Sequence, residues 1–203
     1  MRLFRPPLPA QWIYPEALFR IKSSGKAVYL SFDDGPDPGS TPELLETLRS
    51  QNIKAYFFCN GRAAEKYPSL IDEIRSAGHI IGNHGYSHLN GWETSTREYC
   101  DDVALASPFT SGKLFRPPFG RIKLSQYREL RKSYTIFFWD IMAYDFDESF
   151  SPDKSLAFLI REIRPGSIIV LHDAPWSSCK YFLKEFIEIS FAREYRFELK
   201  YYI

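Results

Sequence analysis

The chain has 203 residues, 44% of them hydrophobic and 17% aromatic, with 26 Lys and Arg against 25 Asp and Glu. That length and apolar content suffice for one domain with a sizeable core, and a net charge of +1 supplies no field to hold a polyanion, so nucleic acid is excluded as an expected partner. Three scattered cysteines, Cys59, Cys100 and Cys179, exclude a disulfide framework and any zinc-finger spacing.

The segment from Met1 to Ile21 opens basic and then carries Pro6, Pro7, Pro9 and Pro15, so it never forms the apolar run of a secretory signal. No stretch reaches the ~20 apolar residues of a membrane span. We therefore expect an N-terminal extension over 1–26 packed on a single domain over 27–203, in a cytoplasmic protein. For Trp12, Tyr14, Leu18 and Phe19, packing on the domain and peripheral contact with the inner face of the membrane are both open.

Ala27 to Phe32 alternates and runs into Asp33-Asp34-Gly35-Pro36, which predicts a strand delivering two carboxylates into a turn. A helix follows, with Thr41 as its cap, Pro42 at its first position and Leu44, Leu45 and Leu48 as its apolar stripe up to a break near Asn52. Next come a strand over 54–59, a helix over 68–77 stopped by Gly78, and a strand over 79–82. Cys59 closes an apolar run and reads as a buried, inert thiol. Residues 93–112 read as a helix and a loop. Further strands are predicted over 114–116, 135–139 and 167–171, helices over 124–132, 152–163 and 179–191, and a last strand over 197–201. This β-α alternation predicts a parallel sheet, open or closed into a barrel, with function at the carboxyl ends of its strands.

The reactive residues cluster at those ends. His84 and His88, four apart and directly after an apolar strand, join Asp34 as a candidate facial ligand set for a divalent metal, with an open position for water. Neighbouring residues of a strand point in opposite directions, so one of Asp33 and Asp34 can bind metal while the other takes a proton. A plain polar turn is the alternative for that Asp pair. Arg116, in the rigid turn Arg116-Pro117-Pro118-Phe119-Gly120, suits a bidentate hold on a carboxylate, with an ordinary loop ion pair as the alternative. His172 ends the apolar run Ile168 to Leu171 and is a candidate general acid tuned by a neighbouring carboxylate. Trp92, Trp176 and Tyr181 are open to stacking on sugar rings or to packing.

From about Val28 to Phe197 these segments resemble the NodB-homology polysaccharide deacetylases of carbohydrate esterase family 4. The resemblance implies an α/β fold, a distorted (β/α) barrel of about seven parallel strands. Ser31-Phe32-Asp33-Asp34-Gly35-Pro36 is similar to the family's first motif, which implies Asp33 as catalytic base and Asp34 as metal ligand. His84-Gly85-Tyr86-Ser87-His88 is similar to the second, which implies both histidines as ligands. The turn from Arg116 to Gly120 resembles the third, implying that Arg116 orients the base and that Pro117 and Phe119 border the substrate, the Phe119 N–H helping to hold the oxyanion. Tyr144-Asp145-Phe146 resembles the fourth, implying Asp145 as the tuner of the catalytic histidine and Phe146 as a substrate contact. Leu171-His172-Asp173 matches the fifth, implying Leu171 as lining for the acetyl methyl and His172 as general acid.

The implied cofactor is a divalent metal, zinc first, with cobalt and nickel as alternatives. The implied substrate is an N-acetylated glycan or amino sugar. Gly85 stands where the family carries Ser or Thr, Phe146 where it carries Trp, and Met142 where some relatives carry a further acid. The sugar and acyl group therefore stay open. A deformylase or deacylase of a lipid-linked amino sugar and a cyclic-amide hydrolase are the alternatives, with a non-catalytic carbohydrate-binding protein as the alternative of another class. The oligomeric state is left unspecified.

Overall fold

Every residue of strand β1 (Ala27–Asp34) except the last is buried, the pattern of a central strand covered on both faces. In this computed structural model Val28, Leu30 and Phe32 face Leu44, Leu48, Ile74, Leu159 and Phe186 of the surrounding helices. Tyr29, on the other face, shares a cluster with Tyr56, Phe58, Leu114, Phe137 and Ile168 inside the curl of the sheet. The structure describes residues 4–23, 25–110 and 112–202; the first three residues of the expected extension, and residues 24, 111 and 203, lie outside the described residues.

The remaining strands are β2 (Tyr56–Cys59), β3 (Ile80–Asn83), β4 (Leu114–Phe115), β5 (Thr135–Ile136), β6 (Ile141–Met142), β7 (Ile168–His172) and β8 (Arg196–Phe197). All pairings are parallel, in the order β5-β4-β3-β2-β1-β7-β6, and β8 lies beside Ala27 and Val28, before the β2 pairing begins at Ser31. The result is the expected α/β architecture, seven parallel strands in a curled half-barrel. The helices are α1 (Leu8–Ile13), α2 (Thr41–Ser50), α3 (Gly61–Lys66), α4 (Pro68–Ser76), α5 (Thr96–Thr110), α6 (Leu124–Leu130), α7 (Pro152–Glu162) and α8 (Leu183–Ala192). Among the described residues no helix is long and apolar enough to cross a membrane.

The segment before β1 fills the seam between the sheet's two end strands. Leu18 N–H donates to the Ile136 carbonyl and Phe138 N–H to the Leu18 carbonyl, Ile21 N–H donates to Gly166, and Met142 N–H donates to Phe4. Phe19 stacks on Phe138 with ring centroids 4.6 Å apart. This insertion explains the main departures from the predicted elements. The strand expected over 135–139 stops at Ile136, because Phe137 and Phe138 divide their bonds between Phe115 and Leu18. A separate β6, absent from the predicted elements, follows and precedes Asp145. Helix α3 was not predicted; Asn60 starts it by accepting from Ala63 N–H. The helix expected over 179–191 is a 3₁₀ turn at Cys179–Tyr181 followed by α8, and the last strand is only two residues long.

Asp140 fastens the seam. Its side chain is 3% exposed and accepts from Arg5 Nη1 at 2.5 Å, Ser167 Oγ at 2.6 Å and Arg164 Nε at 3.1 Å, with Arg164 Nη2 as a further partner. Burial works to raise its pKa, but the hydrogen bonds from Arg164, Ser167 and Arg5 outweigh it and lower the carboxyl below its ordinary value. That stability is present above the ordinary aspartate pKa of about 4 and is lost as the pH falls below it. Asp140→Asn should cost about 2 to 3 kcal/mol in urea unfolding near pH 7, and the deficit against wild type should shrink as the pH is taken below 4.

Candidate active site at the carboxyl ends of the strands

The alternation of β1 places Tyr29, Ser31 and Asp33 in one row facing the interior of the curl. Arg116, directly after β4, reaches that row from the far side. Its guanidinium is 1% exposed; Nη1 donates to Asp33 Oδ1 at 2.6 Å and to Ser31 Oγ at 2.9 Å, Nη2 donates to the Phe138 carbonyl at 3.1 Å, and the Phe58 ring lies 4.1 Å beneath. The bidentate grip on a carboxylate expected from the sequence is therefore not formed. Nη1 serves both Asp33 and Ser31, Nη2 serves Phe138 and the buried Nε has no partner, because β1 and the 137–139 segment both present oxygens at the terminal nitrogens.

Asp34 ends β1 with φ at +80°, a left-handed conformation that interrupts the alternation and that Asp tolerates better than most residues. Its Oδ1 lies 3.1 Å from His88 Nε2 and 3.5 Å from His84 Nε2. One ligand atom from each of the three residues falls within 4.8 Å of the others. His84 Nδ1 is 2.8 Å from the Arg116 carbonyl. A carbonyl only accepts, so the proton is on Nδ1 and Nε2 presents its lone pair.

Burial pushes the His84 pKa down to about 4, which keeps the imidazole in its neutral, ligating form. For Asp34 burial works upward, but the neighbouring histidines, His88 first and then His84 and His172, hold the carboxyl well below the usual range. Asp34 Oδ1 is buried with no hydrogen-bond partner. An orphaned carboxylate oxygen facing two imidazole nitrogens is a donor set that fits a divalent cation. His79 stands apart, its Nδ1 accepting from Ala55 N–H at 3.1 Å.

His172 ends β7 in register with Asp33. Its Nδ1–H donates to Asp145 Oδ1 at 2.9 Å and its own N–H to Asp145 Oδ2 at 2.8 Å, while Ser177 Oγ donates to that same Oδ2 at 2.6 Å. Burial works to lower the His172 pKa; Asp145 first, then Asp34 and Asp33, overcome it and raise the group to about 9.

The other expected residues are placed unequally. Phe119 is 56% exposed, its ring 4.5 Å from that of His88, and none of the turn's backbone hydrogen bonds uses its N–H. Phe146 packs its ring edge-on to His172 at 5.0 Å. Pro117 is buried, and its carbonyl accepts from Gly120 N–H. Leu171 is wholly buried in the cluster between sheet and helices. Trp92, Trp176 and Tyr181 are exposed, with Arg121 over the Trp92 ring, His172 against Trp176 and Lys180 over Tyr181. Cys59 is buried, and burial pushes its thiol pKa well up, leaving it inert.

Three supporting groups escaped the sequence reading. Asp102 on α5 accepts from Tyr86 N–H at 2.8 Å and Ser87 N–H at 3.0 Å, clamping the loop between the two histidines. Asn83 accepts from Gly85 N–H at 2.7 Å and donates to the Val103 carbonyl at 2.9 Å. Asp173 accepts from Ser40 and Thr41 hydroxyls, each at 2.6 Å, and its N–H donates to the Asp33 carbonyl. Burial raises its carboxyl to about 6 against those hydrogen bonds. Only the order of Asp173 directly after His172 signalled the last of these.

Residues 20–136 match the family model described as polysaccharide deacetylase. The chain is 33% identical over 175 residues to a peptidoglycan-N-acetylglucosamine deacetylase of Bacillus cereus, covering 82% of this chain and 63% of that protein. It is 32% identical over 168 residues to a chitooligosaccharide deacetylase of Azorhizobium caulinodans, covering 76% and 77%. Among solved structures it resembles a peptidoglycan N-acetylglucosamine deacetylase at a TM-score of 0.84 and 29% identity, with 94% of each chain covered. It also resembles a Bacillus anthracis pseudoenzyme of the same esterase family at 0.77 and 25%, with 90% of this chain and 66% of that one covered. By motif, by sequence and by fold, this chain belongs to the polysaccharide deacetylase family, the NodB-type members of carbohydrate esterase family 4.

Proposed function

We propose that this protein is a divalent-metal-dependent hydrolase that removes N-acetyl groups from N-acetylated amino-sugar glycans. The observation that carries the proposal is the register pair Asp33 and His172 beside the Asp34, His84 and His88 cluster. Each member of the pair has its own buried orienting partner, Arg116 for one and Asp145 for the other. A chain without turnover has no use for both.

Asp34, His84 and His88 would hold zinc, and cobalt or nickel suit the same one-oxygen, two-nitrogen donors. When bound there, the ion supplies Lewis-acid polarisation of the acyl carbonyl and acidifies a water. Asp33 takes a proton from the attacking water. Arg116 occupies its Oδ1, which fixes the carboxylate and leaves Oδ2 to accept. The Phe119 N–H is the backbone donor for the oxygen that gains charge as the C–O bond forms. His172 delivers a proton from Nε2 to the amine as the C–N bond breaks, and Asp145 on Nδ1 keeps the ring aimed and charged. Acetate and a free amino sugar leave.

An acyl-release screen with zinc added or chelated should yield acetate from N-acetylated glycans, no formate from formylated amino sugars and no opening of cyclic amides. Asp33→Asn should lower kcat about 10²- to 10⁴-fold while zinc stoichiometry by atomic absorption stays at one; equal acetate release by wild type and variant would sink the reading.

General-acid catalysis requires His172 protonated, so the rate falls as pH rises through its pKa. Metal on Asp34 cancels that carboxylate's share of the upward shift and leaves Asp145 as the main support. The basic limb of kcat/KM should therefore lie above neutrality in wild type and move down toward about 6.5 in Asp145→Asn.

Asp102 holds the ligand loop at two backbone N–H groups, so Asp102→Ala should weaken zinc about tenfold in chelator competition. Asp102→Asn, which keeps one acceptor oxygen, should recover part of the loss.

A further inference from the structure

A cavity of about 340 Å³ lies where β3 and β4 begin, at the end of the sheet opposite the mouth that carries Asp33 and His172. Its walls are the segments 79–81 and 112–114, the last turn of α4 at Arg75, and the tail at 201–202. That volume suits a small organic molecule. Among the described residues no acidic side chain lines it. The Arg75 guanidinium is paired with Asp72 at 3.0 Å.

His79 is fixed in this wall from several sides. Its N–H donates to the Ile74 carbonyl at 3.2 Å, its Nδ1 accepts from Ala55 N–H at 3.1 Å, and its ring centroid is 5.1 Å from that of Phe57. A backbone N–H only donates, so Nδ1 carries no proton and the neutral ring keeps its proton on Nε2. Burial, with the charge of Lys54 adding to it, pushes the pKa down to about 4, so near pH 7 this ring is a neutral donor. His79 is 7% exposed, and among the described residues nothing accepts from Nε2. The bond to Ala55 accounts for Nδ1 and leaves a donor beside the cavity without a partner, an arrangement that favours a ligand able to accept.

Lys113 supplies a second donor. Gly112 lies so close to β3 that a Cβ would sit 2.7 Å from the Ile81 carbonyl oxygen, and Thr135 N–H donates to the Lys113 carbonyl at 2.7 Å, so the backbone that carries Lys113 is held on both sides. Its ammonium is exposed and has no hydrogen bond or ion pair among the described residues. The tail is tied down by Tyr56, whose hydroxyl donates to the Lys200 carbonyl at 2.9 Å and accepts from Lys200 N–H at 2.8 Å. The Tyr202 ring then meets Phe137 edge-on at 5.4 Å. The walls are therefore set before any ligand arrives.

We propose that this cavity is a binding site for a small organic carboxylate with an aromatic or branched apolar body. His79 Nε2–H and the Lys113 ammonium take its oxygens, and Ile80, Leu114 and Tyr202 cover its body. A phosphate dianion is a poorer match, because one neutral N–H and one ammonium leave most of its oxygens without donors among apolar walls. The site is independent of the deacetylase reading and stands or falls without it.

Benzoate, benzamide and inorganic phosphate are the probes, titrated into the metal-free full chain at low salt by calorimetry, with the His79 imidazole followed by NMR. Benzoate should bind about tenfold more tightly than either benzamide or phosphate and should move the His79 Nε2–H signal. Raising the salt should narrow the preference over benzamide. Lys113→Gln should remove most of that preference, and Lys113→Arg should keep it. Equal binding of benzoate and benzamide by wild type overturns the proposal, as does phosphate binding as tightly as benzoate. A benzoate effect confined to the signals of His84, His88 or His172 overturns it too, since the anion then sits at the other end of the sheet. So does a Lys113→Gln chain that melts where wild type melts and retains the full preference.

Discussion

A guanidinium enclosed inside a curled sheet needs fixed acceptors in place of its water, and the site depends on the acceptors that the two terminal nitrogens of Arg116 find. Asp33, Ser31 and the Phe138 carbonyl supply the acceptors, and the Phe58 ring covers one face. Three separate stretches of backbone must close to within hydrogen-bond distance for this to happen. The contacts that hold its two terminal nitrogens, with Nε left unpartnered, therefore draw β1, β4 and the 137–139 segment together at the mouth. It also orients Asp33, and through its own carbonyl Arg116 sets the tautomer of His84. One residue thus couples the proton-accepting carboxylate to the cation-binding imidazole.

The opposite side of the mouth is built on the same plan with a different partner. Asp145 spends both oxygens on His172, at the ring and at the backbone, and Ser177 completes its hydrogen bonding. Asp102 does for the 84–88 loop what Asp145 does for the β7 terminus, using a carboxylate to gather backbone N–H groups. In each case a reactive group on one strand end is held by a buried group from a neighbouring element, so rigidity of the sheet becomes rigidity of the site. The segment before β1 belongs to this logic, since it joins the end strands β5 and β6, which pair with the β4 and β7 strands that carry Arg116 and His172.

Much of this was legible in the residues alone. The strand ending in Asp33 and Asp34, the histidine pair after β3, the arginine after β4 and the histidine after β7 all stand at strand ends, and periodicity locates strand ends well when flanking runs are apolar. Resemblance supplied the roles of Asp145 and Phe119, for which spacing offered no signal. The seam was not legible: nothing about Phe4 or Leu18 in sequence says that an irregular segment will take strand bonds from Phe138 and Met142, because such pairings are non-local and follow no period. Asp102 and Asn83 were missed for the same reason. An acidic residue on an exposed-looking helix reads as solvated until the loop it serves is folded against it.

By itself, then, the sequence determined the alternation of parallel strands and helices and which titratable groups arrive at the strand termini, since both follow from local periodicity and turn chemistry. Only the tertiary structure decided what each group touches. It divided Arg116 among three acceptors in place of a two-pronged grip on Asp33, left Asp34 Oδ1 unpaired between two imidazoles, enclosed Leu171 in the core, and laid Arg121 over the exposed Trp92 ring. Those outcomes depend on contacts between residues far apart in the chain, where burial and the need to satisfy buried polar atoms, and not spacing, choose the partner.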